Sequence, residues 1–348
     1  MLFEFDKKGR KTREEPMVDI DLKDRKILYQ LDLNCRQSNA QIGKKVGLSK
    51  QVVDYRIKRL EEEGIITGYW TAINTYKLGY YVFRIYINLI DVSTKIKTDI
   101  IQYFVNNKDV WAVLTSKGPI DLDVVLWVND VYAFNQYWVN TLQQFGSYFS
   151  RSTISILTHV MSCKKTYLLD SDTTSSDREF YHTSCNGEPI SIDELDYRIL
   201  NELALKARTS LLDLAKRINC SPQTVNYRIK NLLQKDVIQA FRISINSAKL
   251  GFQGCAVDLY LKNQTMRKNI LEFIKQKPNV YDIMIMNIGW SDFSIQINIS
   301  NIAELSKLME EIEIKFPDAI RRYDYWMDQI VYKERWLPEM TEADFKKT

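Results

Sequence analysis

The sequence has little of what would place it outside the cell or within a membrane. Its five cysteines are irregularly spaced and include no C-x-x-C pair, which excludes a disulfide framework and favours a reducing compartment. No stretch of eighteen apolar residues occurs, so no transmembrane helix is expected. The first sixteen residues are charged throughout and lack the apolar core of a secretory signal. These absences predict a cytoplasmic protein with no membrane partner.

Patterns typical of catalysis or metal binding are absent too. Only two histidines occur, His159 and His182, and neither has a cysteine or carboxylate at ligand spacing. No Gly-rich phosphate loop and no Ser or Cys nucleophile motif is found. We therefore expect no enzyme activity, no catalytic residue, no metal and no cofactor.

The composition is that of a folded protein. The 348 residues are 45% hydrophobic and 26% charged, which excludes wholesale disorder, and the length suits two to four small domains. With 48 basic and 44 acidic residues, the net charge of +4 says little about partners. The distribution of charge along the chain is more informative.

A long internal repeat divides the chain. The segment VDYRIKRLEEEGII from Val53 returns as VNYRIKNLLQKDVI from Val225. The same difference in residue number relates Asp24 to Asp196 upstream, and it relates the Lys-Leu-Gly triplets at 77–79 and 249–251 downstream. The period is too long for a solenoid, so it indicates a duplicated two-domain module.

The front of each copy has the pattern of three short helices. Apolar residues recur at helical spacing over 21–33, Ser38 is placed to cap a second helix, and Ser49 caps a third after the Gly47 turn. In the second copy Pro222 follows the cap at the first helical position, where proline is tolerated. The segments IITGYWTAIN and VIQAFRISIN then alternate as the strands of a two-stranded wing do. This order predicts a winged helix-turn-helix whose third helix can enter the major groove of DNA.

Positive charge is concentrated on these segments. Residues 36–60 hold seven basic residues against one acidic (+6), and the aligned residues 208–232 hold five against one (+4). Such charge suits phosphate contacts, although a solvated face or a helix-turn-helix used only for protein contact remain alternatives. The predicted DNA-binding residues are Ser38, Lys44, Lys45, Ser49, Lys50, Gln51, Asp54, Tyr55, Arg56, Lys58, Arg59, Ser210, Lys216, Arg217, Ser221, Gln223, Thr224, Asn226, Tyr227, Arg228 and Lys230.

At this point the sequence resembles a known family. The motif Ser-x-x-x-Val-x-x-Arg-Ile-x-x-Leu, an acidic stretch and Gly-Ile-Ile are similar to the DNA-binding half of the leucine-responsive/asparagine (Lrp/AsnC) transcription regulators. Here the motif begins at Ser49 and ends with Gly64-Ile65-Ile66. The Lys-Leu-Gly triplets fit that family's hinge. The second copy departs at Asp236, which replaces Gly64, so we expect a tighter or reshaped second wing.

The back of each copy alternates as strand, helix, two strands, helix and strand, which is the ferredoxin-like βαββαβ unit. The resemblance implies that this sheet is a ligand-binding and dimerisation surface, with a Gly- and Asp-containing turn beside the effector pocket. The matching residues are Gly118, Asp121, Gly289 and Asp292, which would bind a small-molecule effector such as an amino acid. The alternative is that they only build hairpin turns.

The predicted fold class is α+β, with two winged helix-turn-helix domains alternating with two ferredoxin-like domains. We expect a DNA-binding transcription regulator acting on double-stranded DNA, with self-association through the ferredoxin-like domains. The alternatives are a sirohaem decarboxylase-like enzyme, whose architecture this resembles, and a non-specific DNA-coating protein. The predicted segments are a basic arm (1–16), helix-turn-helix 1 (17–76), ferredoxin-like domain 1 (77–170), a linker (171–190), helix-turn-helix 2 (191–248), ferredoxin-like domain 2 (249–340) and a tail (341–348).

The linker suggests how the two copies associate. Its composition, rich in Ser, Thr, Asp and Gly, predicts a flexible segment, and about 20 such residues reach about 25 Å. That reach allows the two ferredoxin-like domains of one chain to pair with each other. The basic arm is either an ordinary solvated tail or a segment that touches DNA.

Overall fold

The computed structural model describes residues 17–169, 178–286 and 288–340, so the predicted arm at 1–16, the first part of the linker and the tail at 341–348 lie outside the described residues. The first copy contains α1 (Leu22–Leu33), α2 (Asn39–Val46), α3 (Lys50–Glu62), β1 (Ile66–Ile73), β2 (Tyr81–Leu89), α4 (Thr94–Asn106), β3 (Val110–Lys117), β4 (Leu122–Val128), α5 (Val131–Phe145), β5 (Phe149–Leu157) and β6 (His159–Cys163). After β7 (Glu179–Ser184), the second copy contains α6 (Glu194–Ala204), α7 (Leu211–Ile218), α8 (Pro222–Gln234), β8 (Ile238–Ile245), β9 (Gln253–Leu261), α9 (Arg267–Lys275), β10 (Val280–Ile285), β11 (Phe293–Ile299), α10 (Ile302–Lys315) and β12 (Ile320–Glu334).

Each three-helix head, α1–α3 or α6–α8, is built by local capping. The Ser38 and Ser210 hydroxyls accept hydrogen bonds from the main chain at the starts of α2 and α7, and Gly47 ends α2 in the left-handed conformation. Asn219 takes the place of Gly47 in the second copy and adopts the same conformation, with φ of 56°. The predicted helix-turn-helix order is therefore confirmed in both copies.

The turn after the third helix is alike in both copies, although the sequence differs. Gly64 has φ of 68° and Asp236 has φ of 57°, so both residues are left-handed. The expectation that Asp236 tightens or reshapes the second wing is not supported at this turn, because aspartate is among the few side chains that tolerate the left-handed region.

The wing is shared between the two copies. The sequence predicted a two-stranded wing in each copy, but each copy supplies one strand: β1 pairs antiparallel with β8, with Trp70 opposite Arg242. Each strand runs directly into a short 3-10 turn and the following sheet, so no second wing strand folds back onto it. Each strand therefore satisfies its main-chain groups on the other copy.

Reciprocal hydrogen bonds show a pseudo-twofold relation between the heads. Donors at equivalent positions of the repeat bond acceptors at equivalent positions of the opposite copy. These are Asn74 N–H to Val237 O (2.8 Å) with Asn246 N–H to Ile65 O (2.9 Å), and Cys35 N–H to Phe241 O (2.9 Å) with Ala207 N–H to Tyr69 O (3.1 Å). The two heads accordingly share one continuous apolar core.

The two ferredoxin-like domains pair within the chain. Each has the strand order fourth, first, third, second, as that unit requires. The last strand of each copy crosses to the other: β12 pairs with β9 and then with β3, whereas β5 pairs with β2 and its continuation β6 pairs with β10. An apolar cluster with members from both copies, including Tyr86, Met286 and Trp326, packs between the two ferredoxin-like domains. The expected intramolecular pairing is thus present.

Part of the predicted linker is ordered sheet rather than flexible spacer. Residues of β7 pair with β6 and extend the ten-stranded sheet. Arg178, just before β7, is buried, and its guanidinium donates to Thr166 Oγ1 and to the carbonyls of Lys164, Lys275, Pro278 and Val280. The composition argument missed this strand because an edge strand is stabilised by its neighbour rather than by an apolar period of its own.

A buried ion pair connects the copies at the heads. Asp32 in α1 accepts two hydrogen bonds from Arg242 in β8, at 3.1 and 2.5 Å, and lies 3.1 Å from Lys165. Burial alone raises the pKa of the Asp32 carboxyl, but Arg242 and Lys165 outweigh that effect and lower the pKa. The equivalent position in the second copy is Ala204, so the pair has no counterpart there.

We predict that Asp32→Ala lowers the free energy of unfolding by about 3–5 kcal/mol, because it leaves Arg242 buried without its carboxylate. Urea denaturation followed by circular dichroism measures this. Glu202→Ala is the matched control, since the Glu202–Arg217 pair is partly exposed and should contribute no more than about 1 kcal/mol. Equal losses in the two variants would contradict a special role for the buried pair.

Candidate nucleic-acid interface

The third helix of each head presents one polar face outward. Ser49 and Ser221 cap α3 and α8 through Val52 N–H (3.3 Å) and Thr224 N–H (3.0 Å). The opposite face is buried in both helices, and it consists of Val53, Ile57 and Leu60 in α3 and Val225, Ile229 and Leu232 in α8. The polar face is therefore left available on the surface of each head.

Most predicted DNA-binding side chains lie on that outward surface. Tyr55 and Tyr227, at equivalent positions, are 67% and 62% exposed despite their apolar rings. The exposed members of the set are Ser38, Lys44, Lys45, Ser49, Lys50, Gln51, Tyr55, Lys58, Ser210, Lys216, Arg217, Ser221, Gln223, Tyr227 and Lys230. The half-buried members are Asp54, Arg56, Arg59, Thr224, Asn226 and Arg228.

Three arginines of the predicted set are engaged inside their own heads. Arg56 lies 2.7 Å from Asp21 and 2.9 Å from Asp24 at the start of α1, and Arg59 lies 2.5 Å from Asp24. In the second copy Arg228 lies 2.6 Å from Asp193. Hydrogen bonding to Asp21 raises the pKa of Arg56. These ion pairs hold the third helix against the first helix of each head, and contact of the three arginines with phosphate stays a prediction.

Two further basic residues counted in the charged segments join the heads. Arg36 donates to the carbonyls of Ala207 (2.7 Å) and Thr209 (2.8 Å) in the other copy. Its equivalent Arg208 donates to Asn39 (2.5 Å) and lies over the Tyr69 ring. The segment charges of +6 and +4 therefore overstate the charge available to DNA.

A signal for the arginine contacts was present in the sequence and was missed. Asp21-x-x-Asp24 recurs as Asp193-x-x-Asp196, and in each copy the arginine at position 56 or 228 follows at the same distance along the chain. Paired acidic residues at a helix start, with one basic residue at a repeated spacing, indicate an ion pair within each copy. Among the described cations of the predicted set, those without such internal ion pairs are Lys44, Lys45, Lys50, Lys216 and Lys230.

The side chain of Asp54 is held by neighbours. Its Oδ1 accepts from Asn39 at 3.0 Å, and its Oδ2 lies 3.3 Å from the Lys58 ammonium one turn later. Both Asp54 and Lys58 remain partly exposed, so this arrangement orders the outward face without removing it from solvent. The second copy has Asn226 at the position of Asp54, which changes both charge and hydrogen-bonding character.

The residues expected to bind an effector have structural contacts in the turns. Asp121 accepts a hydrogen bond from Leu89 N–H at 2.9 Å, and its equivalent Asp292 accepts one from Leu261 N–H at 2.7 Å. Each carboxylate thus accepts a hydrogen bond from a main-chain N–H group at the end of the first strand of its own ferredoxin-like domain. These contacts agree with the simpler interpretation, in which the aspartates build the turn.

The turn glycines permit close contact between copies. Gly118 and Gly289 have φ of 153° and 108°, and each lies against the last strand of the opposite copy. A Cβ on Gly118 would be 3.0 Å from Trp326 Cβ, and one on Gly289 would be 2.6 Å from Ser155 Cα. A side chain at either position would push the opposite copy away at that point.

No group of three His, Cys, Asp or Glu side chains able to hold a metal occurs among the described residues. Within 17–169, 178–286 and 288–340, no helix has both the length and the apolar character to cross a bilayer.

We predict that Gly289→Ala destabilises the protein by about 2–4 kcal/mol, because it adds both a clash with the opposite copy and strain at positive φ. Thermal unfolding of the intact chain measures the change. Gly68→Ala is the control, since a Cβ there meets no atom within 4 Å. If both substitutions shift Tm equally, the close approach of the copies does not depend on this glycine.

Comparison with known proteins adds independent evidence. A family model described as winged helix-turn-helix DNA-binding matches residues 20–67 and 192–239, one match in each head. The chain is 33% identical over 111 residues to the HTH-type transcriptional regulator LrpA of Pyrococcus horikoshii, covering 32% of this chain and 77% of that protein. It is 27% identical over 120 residues to the regulatory protein AsnC of Haemophilus influenzae, covering 34% and 79%.

Fold similarity extends over most of the chain. The crystal structure of the siroheme decarboxylase NirDL matches with a TM-score of 0.60 at 13% identity, covering 93% of this chain and 96% of that one. At this identity the match shows the shared fold alone. Each of the two regulators above matches a length of chain similar to one copy of the repeat. The internal repeat accounts for the other copy. The chain therefore belongs to the Lrp/AsnC family of transcription regulators, with the family's two-domain unit duplicated in one polypeptide.

Proposed function

We propose that this DNA-binding transcription regulator contacts double-stranded DNA with both heads of one chain, through α3 and α8. The proposal rests on the pair of capped helices with outward polar faces, on heads joined by one wing. The wing fixes the two heads relative to each other. The distance between α3 and α8 is therefore already set in the protein without DNA. Preorganisation of this kind lowers the entropic cost of binding two half-sites.

The phosphate-contacting set is narrowed to exposed cations. These are Lys44, Lys45, Lys50, Lys58, Lys216, Arg217 and Lys230. The exposed caps Ser49 and Ser221 mark the starts of α3 and α8, and main-chain N–H groups at helix starts are typical phosphate-binding groups. We assign the contacts with base edges to Gln51, Asp54 and Tyr55 in α3, and to the equivalent residues Gln223, Asn226 and Tyr227 in α8.

We predict a strong salt dependence of DNA binding. Seven phosphate contacts give a slope of log K against log salt of roughly −6. Lys58→Ala should reduce that slope by about 1 and weaken all DNA sequences similarly, because phosphate contacts carry no sequence information. Fluorescence anisotropy at several salt concentrations measures both quantities.

The control is Lys262→Ala, which removes an exposed lysine paired with Asp318 on the second ferredoxin-like domain. It changes the total charge equally but lies on a domain other than the DNA-binding heads. A slope near zero for the unmodified chain, or equal effects of the two substitutions, would contradict the proposed interface.

We predict an asymmetric DNA site, because the two helices differ where they face bases. Gln51 and Tyr55 are retained in the second copy, whereas Lys50 is replaced by Pro222 and Asp54 by Asn226. Asparagine suits adenine, and aspartate accepts from the cytosine amino group. The half-sites should be unlike and lie about one helical turn, or a multiple of it, apart.

Selection of bound sequences from random DNA tests this asymmetry. Asn226→Asp should change the preferred base in one half-site only, by about 1–3 kcal/mol. The matched control Asp54→Asn should affect the other half-site. A perfect palindrome from the unmodified chain would mean that these positions do not read bases, and loss of all enrichment would favour a non-specific DNA-coating protein.

The full-length fold similarity to siroheme decarboxylase NirDL makes an enzyme the second candidate. Against it, the relatives that match by sequence are named as transcription regulators, whereas NirDL matches at only 13% identity. We propose a regulator rather than an enzyme, without catalytic residues or a cofactor. Absorbance of the protein mixed with an iron porphyrin distinguishes the two, since an enzyme of that class should perturb the spectrum at stoichiometric amounts.

The remaining expectations on partners are proposals of the same kind. A small-molecule effector, such as an amino acid, and association of chains through the ferredoxin-like domains both fit the family. Since Gly118, Asp121, Gly289 and Asp292 already hold the turns, an effector there would have to use neighbouring main-chain groups. A cytoplasmic location fits a protein that acts on DNA.

A further inference from the structure

A cavity lies where the heads meet the paired sheets. Its volume is about 140 Å³, and it is lined by residues of β1 and β8 from the shared wing, by strands of both ferredoxin-like domains, by β7 and by Trp336. For comparison, an engineered cavity of about 150 Å³ in another protein binds benzene. The junction cavity, defined by these residues, is therefore large enough for one small ring.

Most of its lining is apolar, and much of it is aromatic. Four of the chain's seven tryptophans contribute, namely Trp70, Trp111, Trp127 and Trp336. Trp70 and Trp336 stack with centroids 4.0 Å apart, and Trp111 meets Trp336 edge to face at 5.7 Å. These rings brace one another and present a preformed apolar wall, which favours a flat aromatic ligand.

One acidic group breaks the apolar lining. Asp282 of β10 is the one charged side chain among the described residues that line the cavity. Its Oδ1 is buried and has no hydrogen-bond partner among the described residues. The nearby cations Arg242 and Lys165 form their close ion pairs with Asp32, at 2.5 and 3.1 Å. Burial raises the pKa of the Asp282 carboxyl, and the more distant charges of Arg242 and Lys165 offset that effect only in part. A buried carboxylate oxygen without a hydrogen-bond partner is unfavourable, and a protonated amine would relieve that cost.

We propose that the junction cavity binds a small aromatic amine, with the ring against the tryptophans and the ammonium group on Asp282. An anionic ligand such as a free carboxylate is disfavoured, because Asp282 would repel it. The walls come from both the wing and the sheets, so one bound molecule would contact the DNA-reading and the pairing parts of the chain together. The proposal concerns ligand binding alone and does not depend on DNA recognition.

Isothermal titration calorimetry of the full chain with benzylamine, without DNA, tests the proposal. We expect saturable binding of one molecule per chain, with a Kd of about 1 mM or tighter. Toluene has the same ring but no amine, and it should bind at least about ten-fold more weakly, the loss expected for a charged hydrogen bond. Equal affinity for both compounds, or no binding of benzylamine, would overturn the proposal.

Three variants locate the site. Asp282→Asn keeps the shape but removes the charge, and it should weaken benzylamine at least about ten-fold while leaving toluene unchanged. Thr183→Leu narrows the cavity while keeping Asp282, so it should weaken both compounds. Asp258→Asn is the matched control, because this buried carboxylate accepts from Trp290 Nε1 at 2.9 Å and does not line the cavity.

Circular dichroism confirms that each variant is folded before titration. Unchanged benzylamine affinity in both Asp282→Asn and Thr183→Leu would place the ligand elsewhere and overturn the assignment. A loss of affinity in Asp258→Asn equal to that in Asp282→Asn would do the same, since it would indicate a general effect of buried charge.

Discussion

The antiparallel pairing of β1 with β8 organises the whole molecule. Each is a single strand whose main-chain donors and acceptors need a partner, and the partner is supplied by the other copy. Because of that pairing, the two heads share one apolar core. The strands that follow, β2 and β9, then begin on opposite sides of a pseudo-twofold axis. The exchange of β5–β6 and β12 between sheets then follows the same symmetry, so heads and sheets are coupled.

Duplication within one chain permits contacts at the axis that identical subunits cannot make. Trp70 and Arg242 are equivalent in the repeat and lie opposite each other in the wing, with the guanidinium 5.8 Å from the Trp70 ring centroid. A symmetric dimer would place two arginines or two tryptophans there, and two buried arginines would repel. The asymmetric pair also leaves Arg242 available to bind Asp32, whose equivalent is Ala204. The two copies therefore differ at the centre of the molecule as well as on the outward faces of α3 and α8.

Much of the interface could be predicted from the sequence, and the errors share one cause. The capping serines, the buried stripes and the outward Gln and Tyr positions follow from local spacing, and the structure has them as expected. Arg36, Arg56 and Arg208 were counted as available charge, yet each is bound to a partner far along the chain. A charge count along a segment cannot reveal which cations are already hydrogen-bonded or ion-paired within the fold, because their partners lie on other elements.

Local pattern was enough to define the elements and their repetition, because helix ends, strand alternation and recurring motifs are properties of short stretches of chain. Packing of the folded chain was needed to establish that the wing is shared, that part of the linker is the strand β7, and that Asp236 keeps the turn of Gly64. The same holds for the contacts of Gly118 and Gly289 with the opposite copy. The residues of a strand do not specify which other strand its main-chain groups will bond. The pairing between the two copies is therefore decided by packing of the whole chain rather than by local pattern.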